Sequence, residues 1–247
     1  MLTLAIDTST MVGGVALLDD DILVAEQIMN VSVAHSERLM SCVESVISGA
    51  GIVPRDIGAI ACGIGPGSFT GVRIGVSAAK GMAYALGVPM AGVSALDALA
   101  YGRGGGCSAI WSLIDARHER CYSASFRPLT PWGVAEQISD YAIMDVSSVV
   151  DAARAMAHDG DRLLFVGDGA IAYGDSILSA MGDRGSAPPP AFAILRPAQV
   201  GLLGRHLLLS GLGQDPRHLA PMYLRASEAE IKQRQGGKRP CGQQRSL

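Results

Sequence analysis

The sequence predicts an α/β fold built from two related halves. Three observations predict it. An opening run of three short strands gives way to alternating helix and strand patterns; a glycine elbow joins a strand to a small-residue helix within residues 63–83; and two landmarks recur about a hundred residues apart. The landmarks are an Ile-Asp strand end (Asp7 and Asp115, 108 positions apart) and a Gly-x-Gly elbow (Gly65 and Gly167, 102 apart). Near-equal offsets suggest an internal duplication.

Residues 2–6, 13–18 and 22–28 read as strands, the last two joined across Asp19-Asp20-Asp21. Residues 35–47 place Leu39, Val43, Val46 and Ile47 at helical spacing. Strand 59–64, helix 69–86, strand 88–93 and helix 96–101 follow. Tyr101-Gly102-Arg103-Gly104-Gly105-Gly106 favours neither helix nor strand and marks a joint between a first unit, 1–102, and a second, 107–226. In the second unit, strand 109–114 pairs with 121–126, and strand 163–166 leads into Gly167-Asp168-Gly169 and a helix. Helices at 146–157 and 198–209 are expected to complete that half. Residues 227–247 read as a basic, disordered tail.

The elbow is the most informative stretch. Gly65 and Gly67 permit positive φ, and Pro66 excludes helix for the residue before it, so helix restarts only afterwards, capped by Ser68 or Thr70. The first turn then presents free N–H groups where an anion or a carboxylate could sit. A Walker loop needs lysine after its last glycine; here Gly71 is followed by Val72-Arg73, which argues against a P-loop hydrolase. Gly71, Gly75 and Ala79 fall four apart, with Ala78 and Met82 beside them, so one helical face is nearly flat and suited to close packing.

With 247 residues, 49% hydrophobic content and a formal charge of −3, the chain can bury a sizeable core. No apolar run reaches the roughly 18 residues a membrane helix needs, and Met1 to Ile6 meets Asp7 without a basic start, against a signal peptide. Cys42, Cys62, Cys107, Cys121 and Cys241 are odd in number and widely spaced, which fits a reduced, cytoplasmic protein. From Arg225 onward six Lys/Arg face Glu228 and Glu230, so this end is +4 and the body −7. The body has no concentrated basic surface of the kind that binds nucleic acid unaided.

The elbow, together with Ile6-Asp7-Thr8-Ser9-Thr10, His35-Ser36-Glu37-Arg38-Leu39-Met40, Ile114-Asp115-Ala116-Arg117 and Pro221-Met222-Tyr223-Leu224-Arg225, resembles the TsaB (YeaZ) family. The resemblance implies an actin-like (ASKHA) fold of two ribonuclease-H-like subdomains, the second degenerate. It also implies an accessory subunit for making threonylcarbamoyladenosine in tRNA. The implied partners are the catalytic paralogue TsaD and the ATPase TsaE, with a homodimer in isolation, tRNA met only through the complex, and no membrane. No intrinsic cofactor is implied; ATP or ADP would lodge at the interface with the catalytic partner.

In kinases and ATPases of that fold, an Asp ending the first strand helps place hydrated magnesium, and the next hairpin holds phosphate. Asp7, Thr8 and Ser9 occupy that place, and Gly65, Gly67, Ser68, Thr70, Gly167 and Gly169 complete a remnant nucleotide or anion site. Their plainer reading is a set of turns bonding nearby backbone. The paralogue carries a His-x-x-x-His metal pair on its first helix. Here His35 is followed four residues on by Leu39, and one imidazole holds no metal tightly, so no metal site is expected. His35 is open to three readings: metal ligand, partner contact or ordinary helix start. No Gly-x-Ser-x-Gly elbow or serine–histidine spacing marks a nucleophile, so no catalytic residue is assigned. Asp115 and Arg117 take a turn role.

Surface chemistry remains. The helices starting near His35 and Phe69 each follow a strand of one sheet and should be neighbours. The expected partner interface comprises His35, Glu37, Leu39, Met40, Val43, Phe69, Val72, Arg73, Gly75, Val76 and Ala79, with Arg73 reaching a carboxylate or phosphate. The alternative is that these residues face their own sheet. The rival function is an independent nucleotide-dependent kinase or ATPase using Asp7, residues 8–10 and the Gly167 elbow.

Overall fold

The computed structural model describes residues 1–30 and 35–224, the side chains of residues 30 and 35–37 excepted. The expected tail, 227–247, lies outside the described residues. The first sheet holds β1 (Leu2–Asp7), β2 (Val12–Asp19), β3 (Ile22–Asn30), β4 (Ala59–Gly63) and β5 (Met90–Val93), in the order β3-β2-β1-β4-β5. Between them run α1 (His35–Gly49), α2 (Phe69–Leu86) and, after β5, α3 (Ala95–Ala100).

The second sheet repeats the plan. It comprises β6 (Ala109–Asp115), β7 (Arg120–Pro128), β8 (Ala135–Gln137), β9 (Ala142–Asp145), β10 (Leu163–Val166) and β11 (Gly185–Ser186), in the order β11-β10-β6-β7-β8 with β9 also on β7. Its helices are α4 (Val146–Met156), α5 (Asp168–Ala172), α6 (Gly174–Met181), α7 (Pro190–Ala193) and α8 (Pro197–Leu209). In each sheet an antiparallel hairpin is continued by two parallel strands, β1–β4–β5 and β6–β10–β11. Asp7 ends β1 and Asp115 ends its counterpart β6; the two glycine elbows follow the counterparts β4 and β10. The second half is the degenerate one: its third strand is split into β8 and β9, and β11 is two residues long.

Strand alternation sorts side chains into layers. On the first sheet Leu4, Ile6, Ile60 and Cys62 face α1 and α2, while Ala5, Ala16 and Ala61 face the opposite way, towards α3 and α8. That second core continues into Ile110, Ile114, Ala124 and Phe126 of the second sheet. A third core lies between the far face of the second sheet and α4 to α6, around Trp111, Phe165, Val149 and Ile177. Helices and sheets therefore stack in five layers, with α3 and α8 in the middle.

The expectation that helix 198–209 completes the second half is corrected. In chain order α8 is the fifth and last helix of that half, yet it packs on the first sheet. Small residues make this possible: a Cβ at Gly204 would lie 2.5 Å from the Ala61 Cβ, and one at Gly201 would lie 2.2 Å from Leu18 Cδ1. Ion pairs fix both ends of α8 to the first unit. Arg196 pairs with Glu26, whose Oε1 also accepts from Ala198 N at 2.9 Å, and Arg205 reaches Asp20 and Asp21 at 3.0 and 2.9 Å. The segment after α8 then runs back along the first unit, where Leu219 is buried and Lys80 Nζ donates to the Leu219 and Arg217 carbonyls.

Candidate functional site

The elbow and the loop after β1 are pressed together. Gly65 and Gly67 have φ of 93° and 156°, and a Cβ at Gly67 would stand 2.0 Å from Ser9 O. Ser68 N donates to Ser9 O at 2.6 Å, and Ser68 Oγ accepts from Gly71 N at 3.2 Å as the cap of α2. Thr70 is exposed in the first turn. Further along, Thr8 Oγ1 donates to Gly71 O at 2.7 Å; a Cβ at Gly71 would lie 2.1 Å from Thr8 O, and one at Gly75 2.4 Å from Thr8 Oγ1.

These distances correct the reading of the flat ridge. Gly71, Gly75 and Ala79 are buried, as are Val72 and Val76, and all face their own sheet and the Thr8 loop. Leu39 and Val43 of α1 share that core. The glycines are there to admit the β1–β2 loop, so these residues cannot meet a foreign chain. Among the expected interface residues, Met40 and Arg73 are exposed and Phe69 is half-buried. The side chains of His35 and Glu37 lie outside the described residues.

The outward face of α2 is a different set. Thr70, Arg73, Ser77, Gly81, Tyr84 and Ala85 are exposed, with Ile74, Ala78 and Met82 half-buried towards α1. Ser77, Gly81 and Ala85 repeat the four-residue spacing of small side chains in a second register. A Cβ at Gly81 would meet nothing within 4 Å, and its φ is not positive. Glycine inside a helix costs about 1 kcal/mol relative to alanine, and no contact among the described residues explains that cost. The sequence held a signal for this face: Val72, Val76 and Ala83 mark the inward stripe, whereas Ser77, Lys80 and Tyr84 flank Gly81.

Asp7 lies at the end of β1 and is 1% exposed. Both its oxygens are engaged by Ser9, whose hydroxyl donates at 2.9 and 3.1 Å and whose N–H donates at 3.3 Å. A Cβ at Gly63 would stand 1.9 Å from Asp7 Oδ1, so the carboxyl is closed in by β4 as well. Burial pushes Asp7 up to about 6 against the pull of the Ser9 hydrogen bonds, and the charge of Asp168 adds to the rise. Asp168 is likewise pushed up to about 6 by burial. Its Oδ1 accepts from Asp115 N at 2.9 Å, and Asp115 Oδ1 in turn accepts from Arg117 N and from the Tyr173 hydroxyl at 2.8 and 2.9 Å. Gly167 and Gly169 are packed on Leu113 of β6, as the first elbow is packed on Ser9. The structure thus brings Asp7, Thr8, Ser9, Gly65, Gly67 and Ser68 into one contact region and places Gly167 and Gly169 in the equivalent region of the second unit.

Two further facts bear on chemistry. Among the described residues no group of three or more His, Cys, Asp or Glu side chains is placed to hold a metal, and no helix is long and apolar enough to cross a membrane. A cavity of about 560 Å³ opens beside the β6–β7 hairpin tip, lined by His118, Glu119, Asp145, Asp151, Arg154 and Tyr173 among others. None of the sequence-selected residues borders it.

Comparison with known proteins places the chain. The family model for TsaD, tRNA N6-adenosine threonylcarbamoyltransferase, matches residues 29–233. A tRNA threonylcarbamoyladenosine biosynthesis protein TsaB from Bacillus subtilis (strain 168) is 34% identical over 233 residues, 94% of this chain and 97% of that one. This chain belongs to the TsaB (YeaZ) family. A second TsaB, from Haemophilus influenzae, is 29% identical across 90% of this chain and 92% of its own length. The solved structure of YeaZ from Pseudomonas aeruginosa superposes with a TM-score of 0.74 at 28% identity, covering 90% of this chain and 99% of that one. Component A of (R)-2-hydroxyglutaryl-CoA dehydratase from Acidaminococcus fermentans, at 11% identity and a TM-score of 0.50, shares the actin-like fold alone, over 83% of this chain and 98% of that one.

Proposed function

We propose that this protein is a non-catalytic accessory subunit in the making of threonylcarbamoyladenosine in tRNA. It docks through the outward face of α1 and α2 onto the catalytic paralogue TsaD, with the ATPase TsaE joining the assembly. The partner then transfers the threonylcarbamoyl group from threonylcarbamoyl-AMP to the N6 amine of the adenosine beside the anticodon. The same face carries a homodimer when the chain is alone. tRNA is met through the complex, since the body has a charge of −7.

The observation that carries this reading is Gly81. A mid-helix glycine with open space around its missing side chain is explained by a second helix lying close against it. Met40, half exposed on α1, and Ser77 and Ala85 on α2 extend the same low surface. Asp7 supports the non-catalytic part. An acid whose oxygens are bonded to Ser9 and enclosed by β4 is not free to place a metal-bound phosphate, so any nucleotide belongs to the junction with the partner. Coupling requires that the chain bind the active conformation of its partner more tightly than the inactive one.

Reconstitution tests the reading. With TsaD, TsaE, threonylcarbamoyl-AMP and unmodified tRNA, nucleoside mass spectrometry is expected to find the modified adenosine only when this chain is added. Asp7→Asn is expected to support modification as well as the unaltered chain does. Modification without this chain, or its loss in Asp7→Asn while the variant still folds and docks, contradicts the proposal.

A further inference from the structure

The two units meet around a second, smaller cavity. Its volume is about 210 Å³, and its walls come from α3 and α8 and from the β7–β8 hairpin of the second sheet. Most of the wall is apolar, built from Phe126, Val134, Ala135, Leu203, Leu207 and Leu212. Among these side chains stands one carboxylate, Asp97 of α3.

Asp97 is held but not neutralised. The Tyr141 hydroxyl donates to its Oδ1 at 2.6 Å, and no cation pairs with it among the described residues. Burial raises this carboxyl above its ordinary range, and only hydrogen bonding from Tyr141 and Ser94 acts against the rise. The guanidinium of α8 is committed elsewhere, since Arg205 pairs with Asp20 and Asp21. His206 lines the cavity and is exposed, but it makes no ion pair with Asp97. A carboxylate taken out of water is costly unless a charged donor meets it, and the neutral phenol supplies only one of the hydrogen bonds it can accept.

We propose that this cavity binds a small organic amine, its ammonium paired with Asp97 and its hydrocarbon body lying against Phe126 and the leucines of α8. The ammonium brings the charge and the donors that the carboxylate lacks, whereas an acid is repelled by it and a hydrocarbon leaves it unmet. The space of about 210 Å³ is the share of roughly seven waters, which sets the molecule at fragment size. Tyr101, where the glycine-rich joint begins, also lines the cavity. A molecule bound there touches both units beside their joint, so it steadies one against the other and raises the melting temperature of the chain. The site shares no residue with the docking face proposed above and stands or falls without it.

Titration of the full chain with benzylamine, and with benzyl alcohol as its neutral counterpart, tests the proposal. Calorimetry is run at about pH 8, where an ordinary imidazole is neutral and His206 does not compete. Benzylamine is expected to bind at least tenfold more tightly than benzyl alcohol, to raise the melting temperature and to shift the methyl resonances of Val134 and Leu203. Asp97→Asn is expected to lower benzylamine affinity by about tenfold or more while leaving that for benzyl alcohol within about threefold. Tyr141→Phe, which keeps the carboxylate, is expected to bind benzylamine no less tightly than the unaltered chain. Ala135→Leu, which fills the cavity from β8, is expected to abolish binding of both. Equal affinity for amine and alcohol in the unaltered chain overturns the proposal even if Asp97→Asn fails to fold, as do an undiminished affinity in a folded Asp97→Asn chain and methyl shifts confined to other parts of the molecule.

Discussion

Gly75 and Gly81 sit six residues apart on one helix and answer to different surfaces. A side chain at Gly75 collides with Thr8, buried in the same molecule, whereas one at Gly81 meets open space. Gly75→Leu is therefore expected to lower the stability of the chain itself, by about 2 kcal/mol or more, read as a fall in melting temperature. Gly81→Leu should leave that temperature unchanged or raise it, since glycine within a helix is unfavourable. The carboxyls supply a second test at this scale. Asp7 and Asp168, both pushed up to about 6 from 3.8, hold protons in the folded chain between pH 4 and 6 that the unfolded chain has released. Stability is thus highest at the acid side of this window and falls as pH rises through it, by at most about 3 kcal/mol for each group. Melting temperatures measured from pH 4.5 to 7 should decline, and Asp168→Asn should flatten the decline; a flat profile in the unaltered chain contradicts the assignment.

At the scale of elements, α8 and the segment behind it hold the two halves together. α8 lies against the first sheet because Gly201 and Gly204 let it approach Ala5, Leu18 and Ala61, so Gly204→Val is expected to cost several kcal/mol and to lower the urea midpoint. Leu219→Ala, which empties a buried position under the returning segment, should cost about 2 to 4 kcal/mol in the same measurement. These elements also show how much was legible in the sequence. The strand and helix order of the first half, the Ser68 cap and the equivalence of the two Asp-ended strands could be read from periodicity, turn residues and spacing. Local pattern could not place α8, because which sheet a helix covers depends on contacts between residues nearly two hundred positions apart. It also left the ridge ambiguous: four-residue spacing of small side chains occurs in two registers of α2, and only the neighbouring valines tell the inward one from the outward one. The short β8, β9 and β11 gave too few alternations to register.

Across the whole molecule, the loops matched to the phosphate-binding turns of actin-like enzymes make close packing contacts within the chain. The loop after β1 is packed under α2, Asp7 is bonded to Ser9, and the second elbow is packed on β6. What is left facing outward on the first unit is a low surface formed by two helices that run side by side. Under the proposed function the chain acts by presenting that surface, and its effect on tRNA modification should rise and fall with docking. The most direct measurement is the affinity of purified TsaD for the unaltered chain and for Gly81→Leu, by isothermal titration, with the melting temperature of each recorded. The account predicts that Gly81→Leu folds as stably as the original yet loses affinity by a factor of about ten or more, because a branched side chain holds the helices apart. Unchanged affinity in a folded Gly81→Leu chain would contradict it.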